Sequence, residues 1–196
     1  MSKGEETRER IVDRAYLVAG REGLDGLTIG ALADELKLSK SGLFAHFGSK
    51  EDLQLEVLKE AERRFQESVI KPALKAARGL PRLKKLFELW LDWGANPANP
   101  GGCIFIAAAA ELDDREGRTR DYLVATQKQL IAFMAGAVRL CIEQGHFKPG
   151  ADGEQVAHEA YGIVLSFNHF KRLLRDPNAE KHARTAFDRL VHSLQH

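Results

Sequence analysis

With 196 residues, 44% of them hydrophobic, the chain is long enough to bury a real core in one or two domains. A formal net charge of +1 excludes a global basic field, so any binding to nucleic acid has to come from a local patch. Two cysteines, Cys103 and Cys141, exclude a disulfide framework; the polar start Met-Ser-Lys-Gly-Glu-Glu and the lack of a long apolar run argue against a signal peptide or membrane span, so a cytoplasmic location is expected.

The spacing of apolar residues, with few β-branched runs, predicts helices throughout. A first helix is expected from about Glu5 to Glu22, with Ile11, Ala15, Val18 and Ala19 on one face and Gly23 and Gly26 ending it. Thr28 can cap a second helix, and Ser39 a third after a Lys37-Leu38 turn. Ser49, followed three residues later by Asp52, has the form of a capping box; it opens a long fourth helix that Pro72 is expected to kink or divide. Gly79-Leu80-Pro81 marks a break, with Pro81 in the first turn of a fifth helix through Leu83, Leu86, Phe87, Trp90 and Leu91. Asn96-Pro97-Ala98-Asn99-Pro100-Gly101-Gly102 is the strongest loop signal. A short apolar helix from Cys103 to Leu112 follows, then a joint at Asp113-Asp114 and a long helix from about Glu116 to Gln144. Two helices, about Glu154 to Leu174 and Ala179 to Leu194, close the chain, separated by Asp176-Pro177-Asn178. The expected fold is all-α with about nine helices: a three-helix domain over residues 1–49 and a helical bundle over residues 50–196.

Residues 28–53 carry the most information. The positions Ile29, Leu32, Ala33, Leu36, Leu38, Leu43 and Phe47 suit two short helices packed steeply across a tight turn, the helix-turn-helix of DNA-binding proteins. From Lys37 to Lys50 there is no acidic residue but three lysines and His46, which suits an element facing phosphates. Residues 1–52 as a whole hold eight Lys and Arg against ten Asp and Glu, so the patch works against its surroundings. Lys50, at a helix start, opposes the helix dipole and asks for an outside reason such as a phosphate.

Three stretches carry a family resemblance: Thr28-Ile29-Gly30-Ala31-Leu32-Ala33, Ser39-Lys40-Ser41-Gly42-Leu43-Phe44-Ala45-His46-Phe47 and Ser49-Lys50-Glu51-Asp52-Leu53. Through them residues 7–53 resemble the DNA-binding domain of the TetR family of transcriptional repressors, and the long fourth helix and closing helical pair are similar too. Gly101 to Phe105 and Glu111 to Arg115 resemble one subgroup of that family. The resemblance implies a TetR-like fold and a homodimer on a palindromic operator of double-stranded DNA, released by a small-molecule effector. It also implies roles. Thr28 would bind a phosphate through its hydroxyl and nearby N–H groups. Lys40, Ser41 and Gly42 would open the recognition helix in the major groove, His46 and Lys50 would grip phosphates, and Ser39, at the cap, is counted with these DNA-binding residues. Many relatives carry tyrosine where Phe44 stands and a second aromatic where Ala45 stands. Phe44 can touch a thymine methyl but cannot hydrogen-bond, so base specificity is expected from Lys40 and Ser41.

Beyond that segment two readings stand for each apolar cluster. Phe87, Trp90, Trp93, Phe105, Phe133, Met134 and Phe167 are either ordinary core or the walls of an effector pocket. The resemblance implies an effector among helices five to eight, and the apolar run from Cys103 to Ala110 suits a mostly neutral ligand held by shape. Val156, Ala160, Ile163, Val164, Phe167 and Leu174 make one stripe; Tyr161, Leu165 and Phe170 make another side apolar. With Ala183, Phe187, Leu190, Val191 and Leu194 on the last helix, the expectation is a four-helix dimer interface, the alternative being burial within one subunit. No nucleophile elbow or Gly-rich phosphate loop occurs, and neither cysteine has a CxxC partner. The chain is therefore expected to be a regulator rather than an enzyme, with no cofactor and no metal. The rival is an all-α ligand-binding or scaffold protein without DNA function.

Overall fold

The structure, a computed structural model, describes residues 2–195. With the helical run from Lys50 to Leu74 taken as one element, the described residues form nine helices and no strand. These are α1 (Lys3–Glu22), α2 (Ile29–Leu36), α3 (Lys40–Phe47), α4, α5 (Leu80–Ala95), α6 (Ile104–Leu112), α7 (Arg118–Glu143), α8 (Gly153–Arg172) and α9 (Ala179–Leu194). Helix α4 has three parts: α-helical Lys50–Phe65, π-helical Gln66–Ile70 and α-helical Lys71–Leu74.

The π-helical stretch answers the expectation about Pro72. A proline in a helix interior has no N–H to give and crowds the carbonyl four residues back, here Ser68. One widened turn, in which the Lys71 N–H reaches back to the Gln66 carbonyl, precedes the proline, and the chain stays helical instead of breaking. The start of α1 is earlier than expected because Ser2 and Glu5 form a reciprocal capping box: the Glu5 N–H donates to Ser2 Oγ at 3.3 Å and the Ser2 N–H to Glu5 Oε2 at 2.6 Å.

Packing divides the chain into two compact units, Met1–Arg64 with Pro97–Thr126, and Phe65–Asn96 with Gln127–His196. In the first, Ile11, Ala15 and Ala19 of α1 are buried as the spacing predicts, but Tyr16 joins them and Val18 is only half-buried. They share the core with Leu24, Leu27, Leu32, Leu43, Phe47 and the Leu53, Val57, Leu58, Ala61 face of α4. The Pro/Gly loop closes on α1. The buried Tyr16 hydroxyl donates to Asn99 Oδ1 at 2.7 Å, and Gly101 lies so close to Gly20 that a Cβ there would sit 1.5 Å from the Gly20 carbonyl oxygen.

In the second unit aromatic side chains interlock. Phe87 of α5 stacks on Phe187 of α9 with centroids 3.8 Å apart, Phe65 meets Trp90 and Trp93 edge-on at 6.0 and 5.5 Å, and Trp90 packs against Tyr161 of α8 at 5.6 Å. Helix α5 has no side-chain cap from its own sequence; His146 Nδ1 supplies one by accepting the Leu80 N–H at 3.3 Å. Helices α8 and α9 pack on each other, and this alters the reading of the expected interface stripe. Val156, Ala160, Val164, Phe167, Phe187 and Val191 are buried within the single chain, while Ile163, Leu190 and Leu194 are half-buried. The grouping of Tyr161, Leu165 and Phe170 on one side does not hold: at 3.6 residues per turn Phe170 falls beside Ile163, whereas Tyr161 turns to Gln127, to which its hydroxyl donates at 2.9 Å.

Candidate nucleic-acid interface

The local chemistry of residues 28–50 builds the helix-turn-helix. Thr28 is extended (φ −121°, ψ 136°), and its Oγ1 accepts the Ala31 N–H at 3.2 Å, which starts α2. Lys37 ends it in the left-handed region (φ 56°), and the Leu38 N–H returns to the Ala33 carbonyl at 2.9 Å, the six-to-one bond of a Schellman turn. A lysine there replaces the usual glycine, at a cost of about 1 kcal/mol. Ser39 then caps α3 by accepting the Gly42 N–H at 3.0 Å, with its Oγ 3.2 Å from that of Ser41. Ser49 accepts the Asp52 N–H at 3.0 Å and donates its hydroxyl to Asp52 Oδ2 at 2.6 Å. The expected capping box at α4 is thus closed through the serine hydroxyl, because the Ser49 N–H is bonded to the Phe47 carbonyl.

Leu43 and Phe47 anchor α3 in the core, and helical spacing turns Lys40, Ser41, Phe44 and Ala45 outward. Phe44 is 49% exposed, a large apolar ring on the surface next to a lysine and a serine. Thr28 and Lys50 are exposed, and Ser39 is too; Gly42 and His46 are half-buried, the His46 ring lying 6.2 Å from that of Phe47. Lys50 is not idle: its Nζ donates to the Asp25 carbonyl at 2.6 Å. The Lys40 stem passes over Gly30, where a Cβ would stand 3.4 Å from Lys40 Cε.

Residues far along the chain complete this surface, and sequence reading did not single them out for a role. Glu111, in the last turn of α6, accepts the N–H groups of Leu24 at 3.2 Å and Asp25 at 2.8 Å. Arg115 forks onto the Asp25 carboxylate at 2.7 and 2.5 Å, and Arg118 reaches Asp52 Oδ1 at 2.7 Å while its backbone N–H goes to Glu51 Oε1 at 2.8 Å. Hydrogen bonds from Arg115 hold Asp25 below the usual carboxylate range, and those from Ser49 and Arg118 do the same for Asp52. The only sequence signal was the Glu111 to Arg115 stretch of the family resemblance, which carried no contact information.

The expected effector residues do not all fall in one unit. Phe87, Trp90, Trp93, Met134 and Phe167 are buried in the second, where Phe133 is half-buried; Phe105 is buried in the first. Among the described residues the Trp90 indole N–H finds no acceptor. A separate groove of about 450 Å³ runs along α8 and α9, with Ile163, Phe170 and Ala183 in its walls. Among the described residues no helix is long and apolar enough to cross a membrane, and no cluster of three or more side chains could hold a metal ion.

A capped, outward-facing second helix in a helix-turn-helix defines a DNA-binding module. Residues 11–57 match the model of the bacterial regulatory proteins, tetR family, and residues 79–187 match the tetracyclin repressor-like C-terminal domain. The chain belongs to the TetR family of DNA-binding transcriptional regulators, which are not enzymes. No curated protein matches it. A TetR transcriptional regulator from Chloroflexus aurantiacus superposes with a TM-score of 0.87 at 23% identity, covering 98% of this chain and 96% of that one. A regulator from Saccharomonospora viridis in complex with choline gives 0.82 at 20% identity, with 98% and 99% covered. AibR in complex with isovaleryl coenzyme A and operator DNA gives 0.74 at 21% identity, with 96% and 97% covered.

Proposed function

We propose that the protein is a cytoplasmic homodimeric repressor of a palindromic operator, released by a small molecule. One observation carries the DNA side of this reading: the outward face of α3, where Lys40, Ser41 and Phe44 are exposed above an anchored Leu43 and Phe47. Lys40 and Ser41 read base edges, Phe44 covers a thymine methyl, and Thr28, Ser39, Gly42, His46 and Lys50 position the helix on phosphates. Lys50 leaves the Asp25 carbonyl for a phosphate, one neutral partner for a charged one.

In functional terms residues 1–49 read DNA, and residues 50–196 bind the effector and dimerise. The groove on α8 and α9, with Ile163 and the exposed Phe170, Leu173 and Leu174, supports pairing of two copies. Two recognition helices then stand about 34–36 Å apart, one DNA turn. An effector in the Trp90 region that prefers another separation lowers operator affinity by linkage. The unpartnered Trp90 N–H supports a ligand that offers at least one acceptor, so shape alone is not its only handle. Solved relatives holding isovaleryl coenzyme A and choline support a small-molecule effector without naming this one.

The test is a comparison of Lys50→Ala with Lys40→Ala on the DNA flanking the gene. Lys50→Ala is expected to weaken binding equally on all sequences and to flatten the salt dependence by about one unit per half-site. Lys40→Ala is expected to relax preference at particular base pairs by about 1–3 kcal/mol. Equal losses on operator and random DNA for both variants would remove Lys40 as a base reader.

A further inference from the structure

The first turn of α4 faces two opposite demands. Glu51 and Asp52 sit at a helix N-terminus, where the macrodipole favours acids. Lys50 beside them is the residue placed at the phosphate backbone, and bare carboxylates there repel phosphate. Asp25, whose carbonyl holds the Lys50 amine, adds a third carboxylate just ahead of the Thr28 cap. Charge cancellation comes from outside the helix-turn-helix. Arg118 Nη2 lies 2.7 Å from Asp52 Oδ1 and 3.6 Å from Glu51 Oε2, and Arg115 forks onto Asp25. Glu111 is the remaining acid of this cluster, and it is occupied by two backbone N–H groups.

The placement of Arg118 is costly for its own helix. It is the first residue of α7, where a cation opposes the dipole. Its side chain is 61% exposed, so the ion pairs it makes are surface pairs that add little to folding stability. An exposed arginine at the wrong end of its helix, turned onto the two acids that follow Lys50, fits an electrostatic task better than a structural one.

We propose that Arg118, assisted by Arg115, is a positioning residue for DNA binding: it cancels the charge of Glu51 and Asp52 toward the phosphates while those carboxylates keep the starts of α4 and α7. Asp52 accepts from the Ser49 hydroxyl, and Glu51 accepts the Arg118 N–H. The inference rests on the placement of Lys50 at the DNA backbone. The field of an ion pair falls off faster than that of a lone carboxylate, so the effect concerns phosphates within about one Debye length, roughly 10 Å at 0.1 M salt.

The experiment uses the full chain and a fluorescent duplex of about 30 base pairs of arbitrary sequence, because the effect acts on any phosphate backbone. Arg118→Ala is expected to weaken binding about three- to five-fold at about 50 mM salt, with the loss shrinking by about 200 mM. Arg118→Lys keeps the charge and should keep most of the affinity. Adding Asp52→Asn to Arg118→Ala should restore binding, since the amide still accepts from Ser49 but carries no charge. Thermal melts confirm that each variant is folded. A loss that is independent of salt and not restored by Asp52→Asn would make Arg118 a structural residue and overturn the proposal. Normal binding by Arg118→Ala alongside weakened binding by Lys50→Ala would overturn it while leaving Lys50 at the backbone; normal binding by both would overturn that placement as well.

Discussion

Replacing Gly101 by alanine is expected to cost far more than a glycine in an ordinary loop. Gly101 is not in the left-handed region, so the penalty is steric alone. The added Cβ would stand 1.5 Å from the Gly20 oxygen, 2.4 Å from its carbonyl carbon and 2.7 Å from its Cα. All three atoms are backbone inside α1, and no side chain can step aside. The loop must therefore retreat, and it is held by the buried bond from the Tyr16 hydroxyl to Asn99. Overpacking of this kind costs about 1–3 kcal/mol. Losing a buried hydrogen bond adds about 1–3 kcal/mol. A total near 4 kcal/mol corresponds to a fall in Tm of about 8–16 °C for a chain of this size. The measurement is thermal and urea unfolding followed by circular dichroism at one fixed protein concentration, because the stability of any self-associating chain depends on it. Tyr16→Phe in the same background sharpens the test. If the retreat already breaks the Tyr16–Asn99 bond, the double variant should be about 1–2 kcal/mol better than the sum of the singles. A Gly101→Ala protein within about 0.5 kcal/mol of wild type would refute the steric account, and strict additivity would show that the Tyr16–Asn99 bond survives the retreat.

Ser39→Ala removes the acceptor of the Gly42 N–H and should cost about 1 kcal/mol of stability, with weaker DNA binding because α3 starts less firmly; calorimetry and a gel shift read the two effects. Phe170→Asp should give monomers in sedimentation while leaving the subunit folded, since Phe170 is 41% exposed; Phe167→Asp, by contrast, should unfold the subunit, because Phe167 is already buried within it. A folded wild-type monomer at micromolar concentration would remove the dimer from the reading. Burial pushes the Tyr16 hydroxyl up to about 12, so the folded state holds that proton more tightly than the unfolded chain. Its contribution is intact below about pH 10 and is lost as pH rises toward 12. Tyr122 and Cys141 are raised by burial as well, so the readout is the difference in alkaline unfolding between wild type and Tyr16→Phe.

Much of this protein was legible because its signals are local. Thr28, Ser39 and Ser49 cap the helices that their positions imply, and the Leu43 and Phe47 pair fixes which face of α3 points outward. Such features depend on hydrogen bonds three residues apart and on helical period, and both are written in consecutive residues. The fate of Pro72 needed more, because a proline states only which bond is missing; a widened turn and a break are both answers, and the packed chain took the first. Tertiary structure alone decided the rest. An apolar stripe on α8 does not say which neighbour covers it, and most of it is buried within the chain, with Phe167 close to Gly94 of α5, leaving Ile163 and Phe170 to the outer groove. The cluster of Asp25, Glu51 and Asp52 with Arg115 and Arg118 pairs residues up to 90 positions apart. Charge pairing over such distances has no periodicity to announce it, so only the folded chain shows which arginine answers which acid.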